Sequence, residues 1–173
     1  MLQRILEKEL ATGFASLPGT HVRGTLPVPS ALLNQALKEA LSKKETPVKG
    51  VLLALLEDNK AIAVIGIDKW PLPKKVELPF SILPTVARGG KLIATVVLDP
   101  PGGLLGTLIP LLAGLVPGVK ANGTTLEIDL GARLKENSGH DLAPLIENLE
   151  LRTRRGYLDV TFSLRVPETE ESK

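Results

Sequence analysis

No cysteine occurs anywhere in this chain. Disulfide frameworks, thiolate metal centres and cysteine nucleophiles are thereby excluded, while the redox state of the compartment is left open. Aromatic residues are almost as scarce, with three Phe, one Tyr and one Trp among 173 residues. So few rings give little material for stacking bases. Histidine is limited to His21 and His140, and neither has a partner at metal-ligand spacing. No charge of one sign dominates, because 21 Lys and Arg face 19 Asp and Glu. Without a concentrated basic face, nucleic acid is not an expected partner. The amphipathic start MLQRILEKEL also lacks an apolar signal core and a small-residue cleavage site. As written the chain reads as cytoplasmic, or as a cell-envelope protein whose export signal has been removed.

Leucine fills the space, at about a fifth of the chain. Flexible aliphatic side chains suit an interior that meets acyl tails, and they equally make an ordinary core. The most uneven segment is Pro100–Val119, twenty positions without a charge. Its length would cross a bilayer, yet Pro100, Pro101, Pro110, Pro117 and the interspersed glycines leave only about a dozen helical residues. The expected helix is Leu104–Val116, kinked at Pro110. Two packings are open to it. It forms a groove wall, with Leu104, Leu108, Leu112 and Leu115 toward acyl chains and Leu105, Ile109 and Val116 on a sheet, or it is a core helix buried all round.

Periodicity organises the rest. Leu2, Ile5, Leu6, Leu10 and Phe14 predict a first amphipathic helix. From Thr20 the pattern alternates, with Val22, Gly24, Leu26 and Val28 on one face and His21, Arg23 and Thr25 on the other. Ser30 is a good N-cap for a helix over Ala31–Leu41 whose stripe includes Leu33, Leu37 and Leu41. Val48–Leu56 and Ala61–Ile67 flank the polar turn Glu57-Asp58-Asn59-Lys60 and predict a hairpin. A second hairpin turns at Arg88-Gly89-Gly90-Lys91 into Leu92–Leu98. Leu126, Ile128 and Leu130 alternate, a short helix is expected over Asp141–Glu147, and Leu149–Arg154 with Tyr157–Val166 form the closing hairpin. Gly24, Gly50, Gly66 and Pro79 mark bulges or bends. Strands with one wet and one greasy face need helices to cover them. The expectation is one α+β domain over residues 1–166, a strongly curved antiparallel sheet wrapped around one or two apolar helices, followed by a disordered polar tail at 167–173.

This order of elements resembles the bacterial members of the tubular lipid-binding superfamily. The resemblance is carried by the Val-Pro-Ser step into the leucine-rich helix (Leu26–Leu41), the long hairpins and the glycine-flanked apolar helix. It continues through the strand Val-Lys-Ala-Asn-Gly-Thr-Thr-Leu-Glu-Ile-Asp-Leu and the closing Leu-Glu-Leu…Gly-Tyr-Leu-Asp-Val-Thr-Phe hairpin. It covers roughly residues 20–166 and rests on pattern and order. It implies a groove between curved sheet and helix that holds a lipid or fatty acyl chain. On this chain the lining would be Leu33, Leu37, Leu41, Leu104, Leu108, Leu112 and Leu115.

A further candidate is the proline-stiffened loop Lys69-Trp70-Pro71-Leu72-Pro73-Lys74-Lys75. Trp and Lys settle at a membrane–water boundary, so Lys69, Trp70, Leu72, Lys74 and Lys75 are expected to dock peripherally on a membrane, or else Trp70 covers one end of the core. Signals for catalysis are thin. Pro101-Gly102-Gly103-Leu104-Leu105-Gly106 lacks the first glycine of a dinucleotide fingerprint and sits among hairpins. Arg152, Arg154 and Arg155 end a strand and read as a solvated edge or as a headgroup contact. The expected function is non-enzymatic binding of a lipid or other long apolar ligand, without cofactor or metal. The alternative is a structural or protein-interaction domain with an ordinary core. The sequence leaves oligomeric state and ligand identity open.

Overall fold

In a computed structural model, residues 18–42, 46–68, 73–88, 91–99, 109, 119–139 and 141–167 are described. In chain order the elements are β1 (His21–Pro29), α1 (Ser30–Ser42), β2 (Val48–Leu55), β3 (Lys60–Ile67), β4 (Lys75–Arg88) and β5 (Lys91–Leu98). After these come β6 (Val119–Asn122), β7 (Thr125–Asp129), α2 (Leu130–Ser138), a single 3-10 turn (Ala143–Leu145), β8 (Ile146–Arg154) and β9 (Tyr157–Arg165). The fold is α+β and mostly antiparallel strand. The strands divide between a three-stranded sheet, β1-β9-β8, and a six-stranded sheet, β2-β3-β4-β5-β7-β6.

The six-stranded sheet holds the main core. Alternation along β3 buries Ala61, Ala63, Ile65 and Ile67 on one face. Val76 and Leu78 of β4 stand opposite Ile65 and Ala63 and continue that face. Ile65 and Leu78 are 0% and 1% exposed, and each such burial contributes about 1.5–3 kcal/mol. Ile109, from the uncharged segment, is helical and buried in the same cluster, with Leu41 of α1 packed against it. The remainder of Leu104–Val116 lies outside the described residues, as do the expected N-terminal helix, Lys69–Leu72, His140 and the tail beyond Pro167.

The turn between β2 and β3 joins the two sheets. Asp58 and Asn59 have φ of 59° and 58°, and Lys60 N–H donates to the Glu57 carbonyl at 3.2 Å. Positive φ at both central residues matches the right-handed strand twist, and Asp and Asn tolerate it better than other side chains. The Asn59 carbonyl accepts from Ile82 N–H at 2.8 Å, and its side-chain oxygen accepts from Thr153 N–H of β8 at 3.0 Å. The buried Thr153 hydroxyl donates to the Lys60 carbonyl at 3.2 Å. Nearby, Gly156 N–H donates to the Leu55 carbonyl, and Ser30 N–H donates to the Gly156 carbonyl. The closing hairpin is thereby fastened to the first hairpin and to the start of α1.

Several expectations are corrected. The strands form two sheets instead of one, and neither is closed or strongly curled. Register shifts at Val48/Gly50, Leu83/Val86 and Ile146/Asn148 interrupt the pairing and bend individual strands. Of the marked positions, only Gly50 lies at a shift. The helix expected over Asp141–Glu147 is only the 3-10 turn, and the real helix, α2, precedes it. Asp129 caps α2 by accepting from Ala132 N–H at 3.0 Å, and Gly139 ends it at φ 75°. Gly131 in its first turn weakens the helical signal, but a Cβ there would sit 3.0 Å from that of Ala143. Close packing of α2 on the 3-10 turn requires it.

Candidate functional site: a cleft beside the edge of the six-stranded sheet

β2 is an edge strand, and α1 lies along its open side. Asn34 makes the attachment. Its amide Nδ2 donates to the Leu53 carbonyl at 3.1 Å, and Leu53 N–H donates to its Oδ1 at 2.7 Å. One side-chain amide thus satisfies both outward groups of an edge residue, as a neighbouring strand would. The antiparallel alternation puts Val51, two residues earlier, next on the same open edge. There α1 and β2 enclose an open cleft of about 1470 Å³.

Leu41 of α1, Val51 and Leu52 of β2 and Val64 of β3 give the cleft wall its aliphatic part, and Asn34, Gln35, Ser42 and Thr46 give it neutral polar groups. Leu52 is 57% exposed. Gly50 and Gly66 pair across the two strands, and a Cβ built on Gly50 would meet nothing within 4 Å. This glycine pair leaves a bare notch in the outer face. Among the described residues, Lys38, Lys49, Lys74 and Lys75 line the cleft with one carboxylate, Asp68. Lysine stems extend an apolar wall while their ammonium groups stay wet.

The structure gathers some of the sequence-derived residues here and separates others. Leu41, Lys74 and Lys75 line the cleft. Leu33 and Leu37 are half-buried on α1 and do not. Leu104, Leu108, Leu112 and Leu115, with Lys69, Trp70 and Leu72, lie outside the described residues. Sequence reasoning missed Lys38, Lys49 and the Gly50–Gly66 notch. The available signal was a pair of glycines in adjacent strands, Gly50 and Gly66, at nearly equal distance from the Glu57–Lys60 turn. The basic trio is largely neutralised. Arg152 pairs with Glu150 at 2.7 Å and Arg154 with Asp159 at 2.8 Å. The hydrogen bond to Asp159 holds the Arg154 pKa above the usual arginine value, and its guanidinium lies 4.3 Å from the centre of the Tyr157 ring.

A second polar cluster lies on the three-stranded sheet. His21 Nε2 is 2.9 Å from Ser163 Oγ and 3.1 Å from Glu147 Oε2, and the Ser163 hydroxyl donates to that carboxylate at 3.1 Å. A nucleophilic relay needs the two imidazole nitrogens to face different partners, serine on one side and carboxylate on the other. Here one nitrogen faces both, and the serine proton points at the carboxylate. The arrangement clamps β1, β9 and β8 together. Sequence reading placed His21 and Ser163 each on an outward face, but not beside one another, because 142 positions separate them.

Among the described residues no helix is long and apolar enough to cross a membrane. No protein-family model matches the chain, and comparisons with curated proteins and with solved structures give no significant match.

Proposed function

We propose that this protein binds a lipid or another long apolar ligand without transforming it, and that its relationship is to the tubular lipid-binding superfamily. The observation that carries this reading is the open cleft of about 1470 Å³ between α1 and β2, whose mixed wall includes the aliphatic side chains of Leu41, Val51, Leu52 and Val64. Ligand pockets for small drug-like molecules run to roughly 300–1,000 Å³, so this one has the size for a longer chain. Burial of each acyl methylene contributes about 0.8 kcal/mol, and such affinity needs no specific polar contact. Ile109 supports it by lying buried in the core cluster of the six-stranded sheet. The groove wall expected from Leu104, Leu108, Leu112 and Leu115 is part of the proposal, as is membrane docking through the Trp70 loop.

Native mass spectrometry and organic extraction of the purified full chain test it. A co-purifying acyl species, or saturable uptake of a fluorescent fatty acid after stripping, is the expected result. A protein that emerges empty and takes up no fatty acid overturns it. A second reading, an interaction domain, draws on Leu26 and Leu32, each 57% exposed. A defined dimer mass in solution, with no acyl ligand, would favour that reading.

A further inference from the structure

We infer that the α1–β2 cleft selects an anionic amphiphile, its acyl chain along Leu41, Leu52 and Val64 and its acidic headgroup among Lys38, Lys49 and Lys74. This rests on the lipid-binding reading and narrows it to a charge class. Among the described residues, four lysines line the cleft against one carboxylate, Asp68. The Lys75 ammonium lies 3.3 Å from Glu77 Oε1 and is partly compensated. Lys38, Lys49 and Lys74 make no ion pair with any described residue. An occupant that covers the apolar wall strips water from one side of those ammonium groups. A neutral headgroup leaves that desolvation unopposed, whereas a carboxylate or phosphate offsets it with charge-assisted hydrogen bonds. Charge complementarity of this kind sets which ligand is preferred more than how tightly any ligand is held. The apolar wall supplies the affinity and the lysines supply the choice.

The decisive measurement titrates the stripped full chain with oleate, oleyl alcohol, sodium acetate and inorganic phosphate, reading displacement of a fluorescent fatty acid. Oleate is expected to bind about tenfold tighter than oleyl alcohol, because three exposed charge contacts each contribute a factor of about two. That preference should shrink at about 1 M salt, where the screening length is about 3 Å. Combined Lys38→Gln, Lys49→Gln and Lys74→Gln should cost about tenfold for oleate and less than about twofold for oleyl alcohol. Lys120→Gln, on β6 at the opposite sheet edge, should change neither. Equal affinity for acid and alcohol, unaltered by the triple substitution, overturns the headgroup assignment and leaves lipid binding standing. Failure of both long-chain probes overturns lipid binding together with it. Acetate or phosphate binding as tightly as oleate makes this a small-anion site and overturns the amphiphile. Tight binding of an extended acidic peptide without oleate assigns the cleft to strand addition along β2 and also overturns it.

Discussion

Ile65 and Leu78, at the centre of the six-stranded sheet, are 0% and 1% exposed. On the three-stranded sheet the corresponding row of β9 (Leu158, Val160, Phe162 and Leu164) is half-buried, with burial reached only just past the strand in the small cluster of Val166 and Leu142, and α1 has no buried residue at all. Both regions use aliphatic side chains in regular alternation. They differ in what covers them. The six-stranded sheet has Ile109 and the α1 end around Leu41 packed on its core face. Hydrophobic stabilisation follows area removed from water and not apolar content. The first region therefore holds the stability, while the second keeps apolar surface in reserve.

The sharpest way to break this contrast is a pair of truncations. Leu78→Ala should destabilise by about 3 kcal/mol, within the range for buried leucines. Leu32→Ala, at a position 57% exposed on α1, should stay within about 0.5 kcal/mol. Urea unfolding with a shared slope measures both. If Leu32→Ala costs as much as Leu78→Ala, α1 is core and the division between regions is wrong.

Next in size is the joint between the regions. Asn59→Gly keeps the positive φ and removes only the acceptor for Thr153 N–H, for an expected loss of about 1 kcal/mol. Asn59→Ala adds left-handed strain and should lose about 2 kcal/mol. Both should raise exchange at the Thr153 amide, read by hydrogen exchange. An unchanged Thr153 amide would show that the two sheets hold together without this turn.

Element type was largely legible in the sequence, because period-two alternation in β3 and β9 and period-3.6 leucines in α1 report local geometry. The Glu57–Lys60 turn was legible for the same reason. Cover was not legible. Nothing in the alternation of Leu158 through Leu164 says whether a layer will lie over it, and β1 meets β9 across most of the chain length. The division into two sheets was hidden too, since a strand pattern records a face and not a neighbour. Of the leucine stripe expected to line a groove, only Leu41 borders the cleft, while Leu33 and Leu37 do not. Of the cleft's lysines, Lys74 and Lys75 are named by the sequence reading, whereas Lys38 and Lys49 acquire meaning only when α1 is laid beside β2.

Asn34 controls that placement. Asn34→Ala leaves the Leu53 N–H and carbonyl without their side-chain partner, for an expected loss of about 1 kcal/mol. The Leu53 amide should lose protection while Ile65 keeps its own. Equal loosening of both would mean that α1 and the core open as one unit, which would dissolve the contrast between the regions.

The smallest expected change in stability is the most telling for function. Gly50 sits in an edge strand with open space where a side chain would project. Its φ lies outside the left-handed region, so a β-branched residue enters without backbone strain. Gly50→Val should leave stability within about 0.5 kcal/mol or raise it slightly, because valine suits a strand better than glycine. The same isopropyl group fills the notch beside Gly66, so affinity for a long-chain probe should fall by about tenfold if the chain crosses this point, the equivalent of one or two displaced methylenes. A stable Gly50→Val protein with full affinity would move the ligand path away from β2. A weakened protein with full affinity would show instead that the edge around Gly50 is packed, and that the reserve of apolar surface lies only on the three-stranded sheet.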